Sequence, residues 1–211
     1  MKVGLLGGSF DPVHSGHLGL AREARDFLGL EQIVFMVAPR PPHKKNRLHA
    51  GSYHRFAMVS LALREEPLMV TSTFELERPG LSFTVNLLEA WTHMHPQDEV
   101  SFLAGGDSLQ QVHLWKDCDR LLEHYSFVFV GRKGARIELE ELPLESHLRN
   151  RIQVCATPQP RLKAGQSLLI KTPLPPPASS SSIRSALARG EVPDHLDAAV
   201  LTHIRKHHLY E

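Results

Sequence analysis

Two histidines set three residues apart, His14 and His17, close the run Gly7-Gly8-Ser9-Phe10-Asp11-Pro12-Val13-His14-Ser15-Gly16-His17-Leu18. Glycines let backbone N–H groups approach an anion, and a helix starting here adds the partial positive charge of its N-terminus. On that first turn His14 and His17 share one side. Two imidazoles facing a polyphosphate can donate hydrogen bonds to oxygens that gain charge during a reaction. Three more places could contribute. Asp107, in Gly105-Gly106-Asp107-Ser108, suits a ribose diol, since a carboxylate accepts two hydrogen bonds; it would equally serve as a helix N-cap. Trp115 offers a large π face, although tryptophan is more often part of a core. Arg132 follows an apolar run and could reach phosphate from its end.

These groups need a scaffold, and the surrounding pattern predicts one. Val3-Gly4-Leu5-Leu6 reads as a buried strand, and Leu20, Ala24, Phe27 and Leu28 mark one face of the helix after it. Gln32 to Ala38 is a second buried strand, so a parallel βαβ unit is expected. The basic, proline-rich segment Pro39 to Arg47 then lies at the carboxyl end of that strand, where open α/β sheets bind ligands. A helix is predicted over Ser52 to Leu63 with Ser52 as its cap, a strand over Leu68 to Glu77, and a helix over Thr84 to His93. Further strands are expected at Glu99 to Ala104 and Tyr125 to Val130. Arg151 to Val154 and Ser167 to Ile170 have strand character but no assigned place. Thr172 to Ser182 has a linker's composition, yet Ile183 to Gly190 reads as a short helix with a glycine stop, its start rich in serine donors. A last helix is expected from His195 to His207.

Composition bounds the rest. The chain has 211 residues, 42% of them hydrophobic, which suits one α/β domain with a substantial core over 1–211. A net charge of +1 argues against a protein that coats nucleic acid or a membrane. Cys118 and Cys155 are the only cysteines and form no C-x-x-C, so no zinc or redox site is expected. Met1 runs straight into the first strand and no apolar stretch reaches membrane-spanning length, so the expectation is a cytoplasmic protein without a signal peptide. There is no G-x-S-x-G elbow and no P-loop. No oligomeric state follows from the sequence.

The run at 7–18 resembles the pattern G-[GT]-[ST]-F-D-P-x-H-x-G-H-L of the HxGH nucleotidyltransferases, most closely the nicotinate-nucleotide adenylyltransferases. The resemblance continues through Pro42-His43-Lys44, Arg55 with Met58, Arg78-Pro79-Gly80-Leu81-Ser82-Phe83-Thr84, Trp115 and the terminal Leu209-Tyr210. Ala178 to Arg184 is similar to I-S-S-T-x-I-R, with alanine for isoleucine and serine for threonine. It implies a Rossmann-like open, mostly parallel sheet with helices on both faces, and a small C-terminal helical segment, 179–211, closing the ATP site. It implies the reaction of ATP with nicotinate mononucleotide to give deamido-NAD and pyrophosphate, by direct in-line attack of the mononucleotide phosphate on the α-phosphorus.

The same resemblance implies roles. His17 would serve the α-phosphate; His14, Lys44 and Arg184 the β- and γ-phosphates, helped by Ser180 and Ser181. Gly8, Ser9, Phe10, Gly105, Asp107 and Ile183 would complete the ATP site. His43, Lys44, Phe83, Thr84, Trp115 and Arg132 would hold the mononucleotide. No carboxylate cluster reads as a metal cage, so Mg²⁺ would arrive on the phosphates. Pantetheine-phosphate or nicotinamide-mononucleotide adenylyl transfer remains an alternative, as does a nucleotide-binding regulator without chemistry.

Overall fold

The computed structural model describes residues 1–42, 48–131, 137–158, 162–172 and 179–211. Its centre is a seven-stranded sheet: β1 (Lys2–Gly8), β2 (Gln32–Val37), β3 (Met69–Ser72), β4 (Glu99–Gly105), β5 (Ser126–Gly131), β6 (Ile152–Cys155) and β7 (Ser167–Lys171), in the order β3-β2-β1-β4-β5-β7-β6. Every pairing is parallel. The helices are α1 (Ser15–Leu28), α2 (Ser52–Ala62), α3 (Thr84–Met94), α4 (Gly106–Gln111), α5 (Cys118–His124), α6 (Ser146–Arg149), α7 (Ser180–Ala188) and α8 (Ala198–Lys206).

Alternation along the strands shows why the sheet must be covered twice. In β2, Ile33, Phe35 and Val37 pack into one apolar layer with α1, α2 and α8, through Leu20, Ala24, Met58, Val59, Val200 and Ile204. Val34 and Met36 point the other way, into a layer with Leu88, Leu109 and Leu122 of α3, α4 and α5. Strands buried on both faces read as continuous apolar runs, which is how the sequence shows them. The chain goes from β1 outward to β2 and β3, then returns to β4 on the other side of β1. The crevice beyond the carboxyl ends of β1 and β4 is therefore a topological switch point, the place where such sheets bind ligands.

Several boundaries differ from the sequence expectation. Gly51, not Ser52, caps α2. The third strand stops at Ser72, whose hydroxyl accepts the Phe74 N–H at 3.1 Å and turns the chain out of the sheet. The last helix begins at Ala198 rather than His195, because the Asp197 carboxylate accepts the N–H groups of Ala199 (2.8 Å) and Val200 (3.3 Å). The unplaced stretches at 151–154 and 167–170 belong to the sheet as β6 and β7, with β7 inserted between β5 and β6. Among the described residues no helix is long and apolar enough to cross a membrane.

Candidate active site

The loop from β1 to α1 is built around close approach. A Cβ on Gly8 would come within 2.9 Å of the Phe10 ring, so only glycine leaves room for that ring to fold back. Phe10 itself is buried with φ +48°, in the sparsely populated left-handed region. Its ring lies edge-on to His17 at 5.1 Å and 5.5 Å from Phe35. His14 is the buried N-cap of α1, and the imidazoles of His14 and His17 lie 3.8 Å apart. The His14 N–H donates to His17 Nδ1 at 3.2 Å. That nitrogen is thus an acceptor, and in the neutral ring the proton sits on Nε2, which makes Nε2–H a donor.

The far end of the chain docks on the same loop. Ser180 Oγ donates to the Pro12 carbonyl at 3.0 Å, and Arg184 Nη1 donates to the Asp11 carbonyl at 2.7 Å. Arg184 Nη2 reaches Ser181 Oγ at 3.2 Å. Ser179 caps α7 by accepting the Ser182 N–H at 3.0 Å, and Ile183 is buried beneath that turn. Ser15 N–H donates to the His195 carbonyl at 3.0 Å. Ser180, Ser181, Ile183 and Arg184 are so brought beside Gly8, Ser9, Phe10 and the histidine pair, across more than 160 residues of sequence.

Gly105 ends β4 and caps α4, so Asp107 is not the N-cap but an exposed residue of the first turn. Beyond the carboxyl end of β2, Ser82 N–H donates to the Arg40 carbonyl at 3.0 Å, and Arg40 N–H returns to Ser82 Oγ at 3.2 Å. This ties the segment after β2 to the one before α3. Phe83 is the N-cap of α3 and Thr84 its first residue. The Lys116 ammonium sits 5.0 Å over the Phe83 ring, joining that turn to the half-buried Trp115, which meets Phe102 and Phe127 edge-on. Phe83, Thr84 and Trp115 thus form one group, in the layer opposite Phe10. His43, Lys44 and Arg132 lie outside the described residues.

The family model described as Cytidylyltransferase-like matches residues 5–186. A protein of Thermus thermophilus, named a probable nicotinate-nucleotide adenylyltransferase, is 40% identical over 169 residues, covering 80% of this chain and 90% of its own. One from Neisseria meningitidis with the same name is 33% identical over 210 residues, covering 100% of this chain and 98% of its own. The chain belongs to the nicotinate-nucleotide adenylyltransferase family. The fold agrees with solved structures: the Plasmodium falciparum nicotinic acid mononucleotide adenylyltransferase complexed with NaAD covers 99% of this chain and 97% of its own, at 18% identity and a TM-score of 0.74.

Three residues that the sequence patterns contain without assigning a role hold this adenylyltransferase loop in shape. The buried Asp11 carboxylate accepts from His49 N–H (2.9 Å), Ala50 N–H (3.1 Å) and the Tyr210 hydroxyl (2.8 Å). Arg55 is buried on α2 and donates to the carbonyls of Ser9 (2.6 Å), Ala38 (2.9 Å), Ala50 (3.0 Å) and Pro39 (3.4 Å). Burial pulls the Arg55 pKa down, and the Asp11 charge pulls it back. Burial, then the Asp11 charge and its hydrogen bond, push the Tyr210 hydroxyl up, so it stays a donor. One signal was present in the sequence: Arg55 shares a helical face with Met58, Val59 and Ala62, and a charge on an apolar face must be paired. Nothing local marks Tyr210.

A shallow hollow beside Phe83 is lined by Glu75, Arg78, Asn86 and His93. Glu75 is buried there, and desolvation pushes its carboxyl up to about 7 against the pull of Arg78.

Proposed function

We propose that this chain transfers the adenylyl group of ATP to nicotinate mononucleotide, giving deamido-NAD and pyrophosphate. The observation that carries the reading is the close His14–His17 pair at the switch point, its rings 3.8 Å apart and tilted by 34°, with the α7 N-terminus docked on the same loop. The acceptor's 5′-phosphate oxygen forms a bond to the α-phosphorus as the bond to the β-phosphate oxygen breaks, so no protein nucleophile is required. Catalysis then rests on positioning and on stabilising charge. His17 Nε2–H donates to the α-phosphate oxygens as they gain charge, and His14, whose ring lies 3.8 Å from that of His17, is assigned to the β- and γ-phosphates. Arg184, Ser180 and Ser181 hold the β- and γ-phosphates, with Lys44 assigned to the same group. Gly8, Ser9 and Phe10 offer backbone contacts, Ile183 seats the α7 turn, and Gly105 and Asp107 take the adenosine ribose. Residues 179–211 close the ATP side, as part of one domain spanning 1–211.

The donor set suits Mg²⁺ carried on phosphate oxygens and water, because Asp11, the buried carboxylate of this loop, is already engaged by three donors. When bound, the ion neutralises charge on the pyrophosphate leaving group. His43, Arg132, Phe83, Thr84 and Trp115 take the mononucleotide, with its ring on Trp115. A cytoplasmic location, where ATP is the donor, belongs to the same proposal.

The test is pyrophosphate release from ATP with nicotinate mononucleotide, nicotinamide mononucleotide or 4′-phosphopantetheine. A carboxylate accepts from the Thr84 hydroxyl and from the N–H groups that open α3, whereas an amide leaves one misfit worth about 1.5–3 kcal/mol, a preference of roughly tenfold to a hundredfold. Trp115→Ala should weaken both pyridine acceptors, and Thr84→Ala should narrow the gap. Equal use of the two pyridine nucleotides, or turnover with the pantetheine substrate alone, would overturn the assignment.

A further inference from the structure

On the face of the molecule formed by α2 and α8, three histidines converge. His54 lies on the first turn of α2, His203 within α8, and His207 at its C-cap, one turn beyond His203. One ring nitrogen from each lies within 4.8 Å of the other two. The His54 Nδ1 to His203 Nε2 separation is 3.2 Å, and the ring centroids of His203 and His207 are 4.5 Å apart. His54 and His203 are half-buried and His207 is exposed. None of these residues belongs to the site described above.

We infer that His54, His203 and His207 form a binding site for a transition-metal dication of the Zn²⁺ type, with three imidazole ligands and an open fourth position. Zinc–imidazole bonds of about 2.0–2.1 Å in a tetrahedral shell place ligand nitrogens about 3.3 Å apart, close to the separation of the first pair. Two histidines one turn apart on a helix present their nitrogens to one side, and the third from a neighbouring helix completes a tripod. The ligands are imidazoles without carboxylates, which favours Zn²⁺ over Mg²⁺ or Ca²⁺. In the metal-free pair one ring donates to the other, so binding needs only that this proton move to the ring's other nitrogen. Lys206 adds positive charge near His203, so affinity comes from the three lone pairs rather than from the local field.

The site has a structural consequence. His54 adjoins Arg55, which grips the Ser9 and Ala38 carbonyls, and α8 leads into Tyr210, which grips Asp11. An ion here ties together the two elements that hold the phosphate-facing loop.

Zn²⁺ titrated into chelator-treated full-length protein should bind at this site, and Co²⁺ should give the intense visible absorption of four-coordinate geometry. His203→Ala and His54→Ala should each weaken Zn²⁺ binding by more than the roughly 10–100-fold that losing an outer-shell partner costs. His207→Ala, at an exposed C-cap, keeps the test valid if the half-buried variants fold poorly. Zn²⁺ should also raise the melting temperature of the wild type but not of His207→Ala. Equal Zn²⁺ affinity in wild type and His207→Ala, no Zn²⁺ binding by the wild type, or a weak six-coordinate Co²⁺ spectrum would each overturn the inference.

Discussion

Replacing Arg55 by lysine tests whether a buried guanidinium fork shapes the site. Arg55 Nη1 serves the carbonyls of Ser9 (2.6 Å) and Ala38 (2.9 Å), Nε serves Ala50 (3.0 Å), and Nη2 reaches Pro39 at 3.4 Å. A lysine ammonium can stand at the Nη1 corner and keep the charge beside Asp11, but it cannot span to the other two acceptors. The Pro39 bond is long and contributes little. The Ala50 carbonyl is buried, and leaving it without a donor costs about 1–3 kcal/mol. The expected loss is therefore about 2 kcal/mol, about thirtyfold in the folded-to-unfolded ratio. It should appear in urea unfolding as a lower midpoint at an unchanged m-value. Ser9 lies in the loop that carries the histidine pair, so a small displacement there should lower kcat by about tenfold to a hundredfold. Arg55→Met removes the charge and every bond and should cost more, about 3–5 kcal/mol. A lysine variant within about 0.5 kcal/mol of wild type, with unchanged turnover, would refute the fork's role.

Other outcomes follow from the same geometry. His17→Ala should lower kcat by roughly 10²–10³ with a smaller change in the KM for ATP, and near-normal turnover would remove Nε2–H from the mechanism. Arg184→Lys keeps the charge but cannot reach Asp11 and Ser181 together, so turnover with ATP should fall about tenfold to a hundredfold; wild-type rates would mean the fork is not used. Tyr210→Phe deletes one of three donors to a buried carboxylate and should cost about 1.5–3 kcal/mol in urea unfolding; no measurable loss would mean the C-terminal turn does not brace Asp11. For Glu75 the folded pKa is raised to about 7, so the folded state binds the proton more tightly than the unfolded chain. Its contribution is fully present at acid pH and is lost as pH rises from the ordinary carboxyl range through about 7, a fall of about 3 kcal/mol. Glu75→Gln should flatten that slope, and an unchanged pH profile of unfolding would show that Glu75 does not titrate this way.

What was legible in the sequence is what depends on neighbours along the chain. Residues 7–18 carry their own instructions: the glycine at position 8 leaves room for the Phe10 ring, and the spacing of His14 and His17 puts both imidazoles on one side of a helix start. The apolar runs of β1, β2, β4 and β5 announce a doubly covered parallel sheet, because strands buried on both faces cannot carry alternating polar residues. β6 and β7 were ambiguous for the converse reason. They are short, and β6 is an edge strand with Gln153 and Val154 exposed, so no local periodicity distinguishes them from loops. Local pattern likewise placed the cap of α2 one residue late, at Ser52 rather than Gly51, and the start of α8 three residues early, where Asp197 takes the cap.

Only the tertiary structure decided which distant groups meet. The end of a linker-like, serine-rich stretch comes to lie against the histidine loop because Ser180 and Arg184 find the Pro12 and Asp11 carbonyls. The penultimate residue, Tyr210, reaches the carboxylate of Asp11. His54 meets His203 and His207 because α8 packs on α2. Hydrogen bonds and metal ligands act over about 2–3 Å in space. Separation along the chain carries no information about them until the sheet has folded and its helices have docked.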